Sequence, residues 1–117
     1  MDQKVQFMGL NLDRINFFKV SQYKNGNKLV LFGVGIVCAK FIKNFDKSKI
    51  LYIVDNNKSL WTTKFEGIEV KSPKKLKELK NTDVVIMTTS FLDVIKQIKS
   101  INQRLPVKVS YYLKDLI

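Results

Sequence analysis

The chain has 117 residues, of which 45% are hydrophobic and 26% charged, and this composition predicts one soluble globular domain with a small core. It contains no histidine and a single cysteine, which excludes an internal disulfide and a histidine-dependent catalytic site and argues against bound zinc. No apolar run approaches the length of about 18 residues that a membrane span needs, and the first residues lack the pattern of a signal peptide. We therefore expect no metal site, no transmembrane segment and a cytoplasmic location.

The net charge of +11 makes nucleic acid a partner to consider. Only Arg14 and Arg104 among the 21 basic residues are arginines, although phosphate clamps and base readers favour the planar guanidinium group. The lysines are spread along the chain apart from one cluster, which consists of Lys71, Lys74, Lys75, Lys77 and Lys80. We therefore expect a solvated lysine-rich surface and no specific nucleic-acid partner, and a weak attraction to an anionic membrane surface or an acidic polysaccharide stays open.

Residues 1–27 are predicted to form an N-terminal helical packing segment, followed by the main domain at residues 28–117. Asp13 is suited to cap a short helix, and the turn signal Asn25-Gly26-Asn27 marks the boundary. The apolar side chains of that helix are Ile15, Phe17, Phe18 and Val20. With Phe7, Met8, Leu10 and Leu12, they make the segment too apolar to stay exposed on a monomer. We favour burial against a second copy in a homodimer, and docking on the chain's own core is the alternative.

A β-α-β pattern starts the main domain. The apolar run Leu29-Val30-Leu31-Phe32 predicts a strand covered on both faces, and Gly33-Val34-Gly35 follows it directly. A helical stripe then consists of Cys38, Phe41, Ile42 and Phe45, and a second buried strand covers residues 50–54. Asp55 follows that strand, 20 residues after Gly35, which is the spacing of the acidic residue in a dinucleotide-binding unit.

The second half of the chain repeats strands and helices. Residues 58–67 are irregular and contain Trp61, a short strand covers residues 68–70, and Ser72-Pro73 starts a helix that continues to about Lys80. Asp83 opens a strand at residues 84–87, and Ser90 forms a capping-box-like pair with Asp93 for a helix that carries Val94, Ile95, Ile98 and Ile101. Residues 107–112 predict an edge strand. The predicted fold is α/β, a Rossmann-like open parallel sheet of about five strands in the order 3-2-1-4-5 with flanking helices.

In such a sheet the ligand lies at the carboxyl ends of the strands, where the strand order reverses. Three loops meet there and supply the candidate nucleotide-binding residues, which are Gly33, Val34, Gly35, Ile36, Val37, Asp55, Asn56, Thr88, Thr89 and Ser90. The glycines suit a phosphate, Asp55 suits ribose hydroxyls, and the hydroxyl side chains complete a pocket for a nucleotide or nucleotide sugar. The alternatives are that the glycines only shape a turn, that Asp55 caps the turn after it, and that Thr88 and Ser90 only end a strand and cap a helix.

Two other side chains carry a functional and a structural interpretation. Trp61 either covers an adenine or uracil ring or packs as a lid on the core, and we favour the lid. Cys38 lies near a helix N-terminus, a position that lowers a thiol pKa, but we favour a packing role for it.

Catalytic groups are missing from the pattern. No Tyr-x-x-x-Lys pair is present, and Leu31 stands where a methyltransferase glycine loop usually has an acidic residue. We therefore predict no catalytic residues and leave the cofactor unassigned, with a nucleotide sugar or an NAD-type dinucleotide as the alternatives.

Several motifs resemble the small Rossmann-like domains of bacterial surface-polysaccharide proteins. The motifs are Lys28-Leu-Val-Leu-Phe-Gly-Val-Gly, Val54-Asp-Asn-Asn, Trp61, Phe65-Glu-Gly-Ile-Glu-Val-Lys-Ser-Pro-Lys-Lys-Leu and Asp83-Val-Val-Ile-Met, within residues 28–112. These domains resemble the N-terminal domains of sugar acetyltransferases and of membrane nucleotide-sugar dehydratases, and similar modules accompany glycosyltransferases and methyltransferases. The resemblance implies nucleotide or nucleotide-sugar binding through Gly33, Gly35 and Asp55 without catalysis, and Cys38 departs from the family's third small residue.

The leading functional interpretation is thus a nucleotide or nucleotide-sugar binding module linked to bacterial surface-polysaccharide biosynthesis, without catalysis of its own. The first alternative is a structural or interaction domain that has this fold but no ligand. A small NAD-dependent oxidoreductase is the third, and the missing catalytic groups count against it.

Overall fold

The protein has a mixed α/β fold, seen in a computed structural model that describes residues 6–7, 10–11, 15–20, 23 and 27–116. The strands are β1 (Gln6–Phe7), β2 (Leu10–Asn11), β3 (Phe17–Phe18), β4 (Leu29–Phe32), β5 (Ile50–Val54), β6 (Lys64–Phe65), β7 (Ile68–Lys71), β8 (Asp83–Ile86) and β9 (Val107–Ser110). The α-helices of this part of the chain are α1 (Ile36–Lys43) and α2 (Phe91–Ile101). Short 3-10 helices cover Lys47–Lys49, Lys58–Leu60, Pro73–Glu78 and Tyr111–Leu116.

The main sheet has seven strands in the order β3-β9-β8-β4-β5-β7-β6, and β1 pairs separately with β2. All neighbours in the main sheet are parallel except β6, which runs antiparallel to β7. The prediction of an α/β fold with a parallel sheet is confirmed at this level. The predicted count of five strands and the order for the whole sheet are wrong, because the two-residue strands β3 and β6 extend it at its two edges.

The central strands are the most deeply buried part of the sheet. Every residue of β4 is at most 2% exposed, and Val84, Val85 and Ile86 of β8 are fully buried beside it. A continuous apolar run is what a parallel strand needs when helices cover both of its faces. The parallel pairing of β4 with β5 and β8 places the carboxyl ends of these three strands side by side.

The helices differ from the prediction at their ends. α1 buries Val37, Cys38, Phe41 and Ile42 and stops at Lys43, so that the predicted stripe is present but Phe45 lies beyond the helix. Ser90 makes no side-chain cap bond to α2, which corrects the predicted capping box with Asp93.

The helix predicted after Ser72 is a 3-10 helix at Pro73–Glu78. Ser72 does cap it, because its Oγ accepts a hydrogen bond from the backbone N–H of Lys74 at 3.2 Å. Its two buried residues, Pro73 and Leu76, are three positions apart, which suits a helix with three residues per turn.

Part of the N-terminal segment belongs to the sheet. Phe17–Phe18 is strand β3 rather than a helix, and it pairs in parallel with β9, whose Val109 N–H donates to the carbonyl of Asn16 at 2.8 Å. Phe18 is only 5% exposed and joins the core. β9 is therefore not the edge strand, and it ends at Ser110. The predicted cap at Asp13 and the turn at residues 25–26 lie outside the described residues.

No helix among the described residues is long and apolar enough to cross a lipid bilayer.

Candidate functional site

The three loops predicted to form a site follow neighbouring strands. Phe32, the last residue of β4, lies opposite Val54 of β5 on one side and Ile86 of β8 on the other. The chain beyond each strand stays tied to this edge: Gly33 N–H donates to the Val54 carbonyl at 2.9 Å, and Met87 N–H donates to the Phe32 carbonyl at 2.8 Å. Residues 33–37, 55–57 and 88–90 therefore lie at the carboxyl ends of three neighbouring strands, and we call this region the carboxyl-edge crevice.

Gly33 has a conformation that favours glycine. Its φ is +113°, a value that L side chains rarely adopt, and a Cβ built on it would lie 3.5 Å from the Cβ of Thr88. Gly33 thus lets the chain turn out of β4 while the loop after β8 packs against it.

Gly35 lies at the N-cap of α1 and has a different role. Its φ of 161° is extended backbone, and a Cβ built on it would meet no described atom within 4 Å. Ile36, the first residue of α1, is 89% exposed, whereas Val37 is buried. The space next to Gly35 is therefore open, and this space is where the sequence predicts a phosphate.

The N-terminus of α1 has positive potential that no side chain of the helix itself offsets. No side-chain hydrogen bond caps it, and its first turn contains no acidic residue, whereas Lys40 and Lys43 lie in its last turn. The first N–H groups of a helix have no intrahelical acceptors, and the helix dipole concentrates positive potential there. This end of α1 is suited to an anion.

Asp55 fastens two loops together. Its Oδ2 accepts a hydrogen bond from the Val34 N–H at 2.8 Å, and its Oδ1 accepts one from the Asn57 N–H at 2.8 Å. Its own N–H donates to the Lys71 carbonyl at 3.2 Å. The turn-capping alternative for Asp55 is therefore present in the structure, together with a contact to the glycine loop that the sequence did not suggest.

Trp61 also forms a hydrogen bond with Asp55. Its indole Nε1–H donates to the Asp55 carbonyl at 2.7 Å, and its half-buried ring packs against the core. A cavity of about 330 Å³ adjoins it, lined by Trp61, Val70, Lys71 and Lys75 among others, without Gly33 or Thr88.

Thr88, Ser90 and Asn56, three of the remaining predicted residues, already have hydrogen-bond partners. Thr88 Oγ1 lies 3.1 Å from Ser90 Oγ, while Thr89 is exposed. Asn56 and Gln97 of α2 form a reciprocal amide pair, with N···O distances of 3.0 and 2.7 Å. Sequence reasoning missed Gln97, because no spacing rule connects a loop residue after β5 with the middle of α2.

Cys38 is a packing residue. It is fully buried, and burial together with the negative charges of Asp55 and Glu66 raises the pKa of its thiol from 9.0 to about 12. The helix N-terminus does not lower the pKa of this thiol as expected, because desolvation of the thiolate outweighs the helix dipole.

The crevice presents several polar groups. It offers the N–H groups at the start of α1, the carboxylate of Asp55 and the three hydroxyl groups of Thr88, Thr89 and Ser90. Among the described residues, no three His, Cys, Asp or Glu side chains lie close enough to hold a metal ion.

Fold and crevice together define an α/β domain with a glycine turn between a central strand and a helix. The family model described as C2185-like, N-terminal, matches residues 25–105. The chain belongs to this C2185-like N-terminal family. No curated protein and no solved structure matches the chain.

The two glycines should respond differently to the same substitution. Gly33→Ser should lower the free energy of unfolding by about 1–2 kcal/mol, because it forces a side chain into a disfavoured backbone conformation. Gly35→Ser should leave that free energy unchanged or raise it by a few tenths of a kcal/mol, because serine is a preferred N-cap residue. Urea unfolding of both variants measures this, and equal losses would contradict the backbone argument.

Cys38 should make the stability depend on pH above 9. In the unfolded chain its thiol ionises near pKa 9.0, whereas in the folded protein its pKa is about 12. Rising pH between these values should therefore favour the unfolded state. The wild type should lose more stability than Cys38→Ala between pH 8 and pH 10.5 in urea unfolding, since lysine and tyrosine titrations are shared by both proteins. Parallel pH profiles would show that the thiol ionises in the folded state.

Proposed function

We propose that the carboxyl-edge crevice binds the phosphate groups of a nucleotide or nucleotide sugar, and that the protein is a Rossmann-like binding module without catalysis of its own. The observation that carries the proposal is the open space beside Gly35 at the uncapped start of α1. Backbone N–H groups at a helix N-terminus bind phosphate because they combine free donors with a favourable dipole. The glycine admits the phosphate because no Cβ occupies the space that it needs.

Asp55 is the proposed contact to ribose. Each of its carboxylate oxygens already accepts one backbone N–H, and each oxygen has a second acceptor position. Because those two bonds fix the carboxylate, a ribose hydroxyl would meet a group that loses little conformational freedom on binding. Asp55 would then hold the phosphate loop and the sugar at the same time.

The link to surface-polysaccharide biosynthesis rests on the sequence motifs. The stretches Val54-Asp-Asn-Asn and Phe65-Glu-Gly-Ile-Glu-Val-Lys-Ser-Pro resemble those of nucleotide-sugar-binding domains. In this proposal the ligand is a nucleotide sugar, and the protein acts beside an enzyme that uses it. A NAD-type dinucleotide is the alternative ligand, and a cytoplasmic location follows from either ligand.

One observation favours the second candidate function, an interaction domain without a ligand. Thr88 pairs with Ser90, and Asn56 pairs with Gln97, so several polar groups around the crevice are satisfied within the protein. Ile36 is 89% exposed at the crevice rim and would lie in the interface. A homodimer through the N-terminal segment is the corresponding partner proposal, and Phe18 lies outside that interface because it is buried in the chain's own core.

Gly35→Val should abolish nucleotide binding with little loss of folding. A branched side chain would fill the space beside α1, while the extended φ of 161° is accessible to valine. Thermal shift and calorimetry with UDP-glucose, GDP-mannose and NAD measure the effect, because a ligand at about 100 times its Kd stabilises the fold by about 2.7 kcal/mol.

Gln103→Val is the matched control for this experiment, since Gln103 is exposed and follows α2. The control should bind like the wild type. Binding of every ligand to Gly35→Val with unchanged affinity would contradict the phosphate assignment. The absence of any ligand response in the wild type would favour the interaction domain.

Asp55→Ala should separate ribose recognition from loop fixation. A lost hydrogen bond to a charged group costs about 1.5–3 kcal/mol, so affinity for a ribonucleotide should fall by that amount. A 2′,3′-dideoxy nucleotide has no ribose hydroxyl that could donate a hydrogen bond to the carboxylate, so its affinity should fall less. Equal losses for both ligands would assign Asp55 only to holding the Val34 and Asn57 amides.

A further inference from the structure

A second concave site lies at the amino ends of the strands, at the opposite end of the sheet from the crevice. It is a cavity of about 530 Å³ between the segment that leads into β8 and the segment that leads into β9. Since β8 and β9 are parallel, both segments lie at amino ends of strands. We call it the amino-edge cavity and define it by Lys77, Lys80, Asn81, Asn102 and Arg104. None of the crevice residues lines it.

The charge of the amino-edge cavity is positive. Lys77, Lys80 and Arg104 line it, and Glu78 is the one carboxylate among its lining residues. Within the described part of the chain, ion pairs join Lys71 to Glu69 and Lys108 to Asp83, and none involves these three cations. Positive side chains around a concave site focus their field on an anion inside it.

The wall that carries these cations is fixed by one side chain. Asn102 Nδ2 donates to the carbonyls of Leu76 at 3.0 Å and Leu79 at 3.1 Å, and its Oδ1 accepts from the Arg104 N–H at 3.2 Å. Lys99 Nζ adds a bond to the Leu105 carbonyl at 2.7 Å. The backbone on both sides of the cavity is thus joined before any ligand arrives, which lowers the entropy that binding costs.

The structure also divides the lysine cluster of the sequence. Lys71 and Lys75 line the cavity beside Trp61, and Lys71 pairs with Glu69 at 3.2 Å. Lys77 and Lys80 instead line the amino-edge cavity, as does Arg104. Lys74, Lys75, Lys77 and Lys80 are exposed to solvent, as the sequence predicts, and the cluster divides between two concave parts of the surface.

We propose that the amino-edge cavity binds a small phosphorylated ligand, either inorganic pyrophosphate or the diphosphate of a larger ester. A guanidinium group binds two phosphate oxygens through its fork, and the two ammonium groups neutralise the remaining charge. A volume of about 530 Å³ lies within the range of small-molecule sites, about 300–1,000 Å³. This site is independent of the function proposed for the crevice.

The test compares two double variants that each remove two positive charges. Lys80→Gln/Arg104→Gln removes cations from the amino-edge cavity, and Lys43→Gln/Lys64→Gln removes exposed lysines elsewhere. Pyrophosphate is titrated into each protein and followed by amide NMR shifts. The cavity variant should bind about tenfold more weakly, as expected for a lost charged hydrogen bond, and the control should change by less than about twofold.

The position of the shifts decides between the sites. In the wild type they should centre on the amides of Asn81, Asn102 and Arg104. Shifts confined to Gly35 and Val37, equal losses in both variants, or no saturable shift would each overturn the proposal. Unchanged melting temperatures of the variants check that they fold.

A nucleoside diphosphate titrated in the same way distinguishes the sources of the phosphate. Equal affinity with pyrophosphate, at the same three amides, means that the cavity recognises the phosphates alone. Tighter binding at these amides means that it also recognises the esterified part. Failure of all nucleotides at the crevice leaves the result with pyrophosphate unaffected, so the two proposals fail separately.

Discussion

The hydrogen bonds of the Asp55 carboxylate are the constraint on which the crevice depends. One oxygen holds the Val34 amide of the glycine loop, and the other holds the Asn57 amide of the next loop. Hydrogen bonds to a charged group contribute about 1.5–3 kcal/mol each, so this carboxylate fixes the start of α1 relative to β5. The indole of Trp61 adds a third bond, to the Asp55 carbonyl, and brings the loop after β5 down onto the core. The geometry beside Gly35 is therefore set by a residue on another strand.

The carboxyl ends and the amino ends of the parallel strands offer anions different chemistry. The carboxyl edge presents the uncapped N-terminus of α1, with no cationic side chain in its first turn. The amino edge presents Lys77, Lys80 and Arg104, carried by segments that Asn102 ties together. Backbone dipoles are oriented by the fold and select the geometry of an anion, whereas long cationic side chains supply net charge that salt screens. Substitutions at one end of the strands can therefore change anion binding there without disturbing the other end.

The sequence predicted the centre of the fold well and its margins poorly. The run Leu29–Phe32 and the two glycines after it are local signals, and the structure has a buried strand followed by a turn and a helix there. Phe17–Phe18 is a strand because it finds the free edge of β9, a partner that no local pattern indicates. At the site, the sequence left two roles open for Asp55, and the contact to Val34 required knowledge of how β4 and β5 pair. The pair between Asn56 and Gln97 could not be predicted from the sequence for the same reason.

Among the described residues, the pairing of β3 with β9 joins the first strand of the main sheet along the chain to the last. During synthesis on the ribosome, β3 emerges early but has no partner until residues 107–110 have left the exit tunnel. The pairing then covers two features in a single late step. β9 supplies the hydrogen-bonding groups of its unpaired edge, and Phe18 supplies the apolar surface that becomes buried. Such a closure between distant parts of the chain makes folding slower than its small size implies. Until that step, the apolar residues of β3 lack their partner in the sheet.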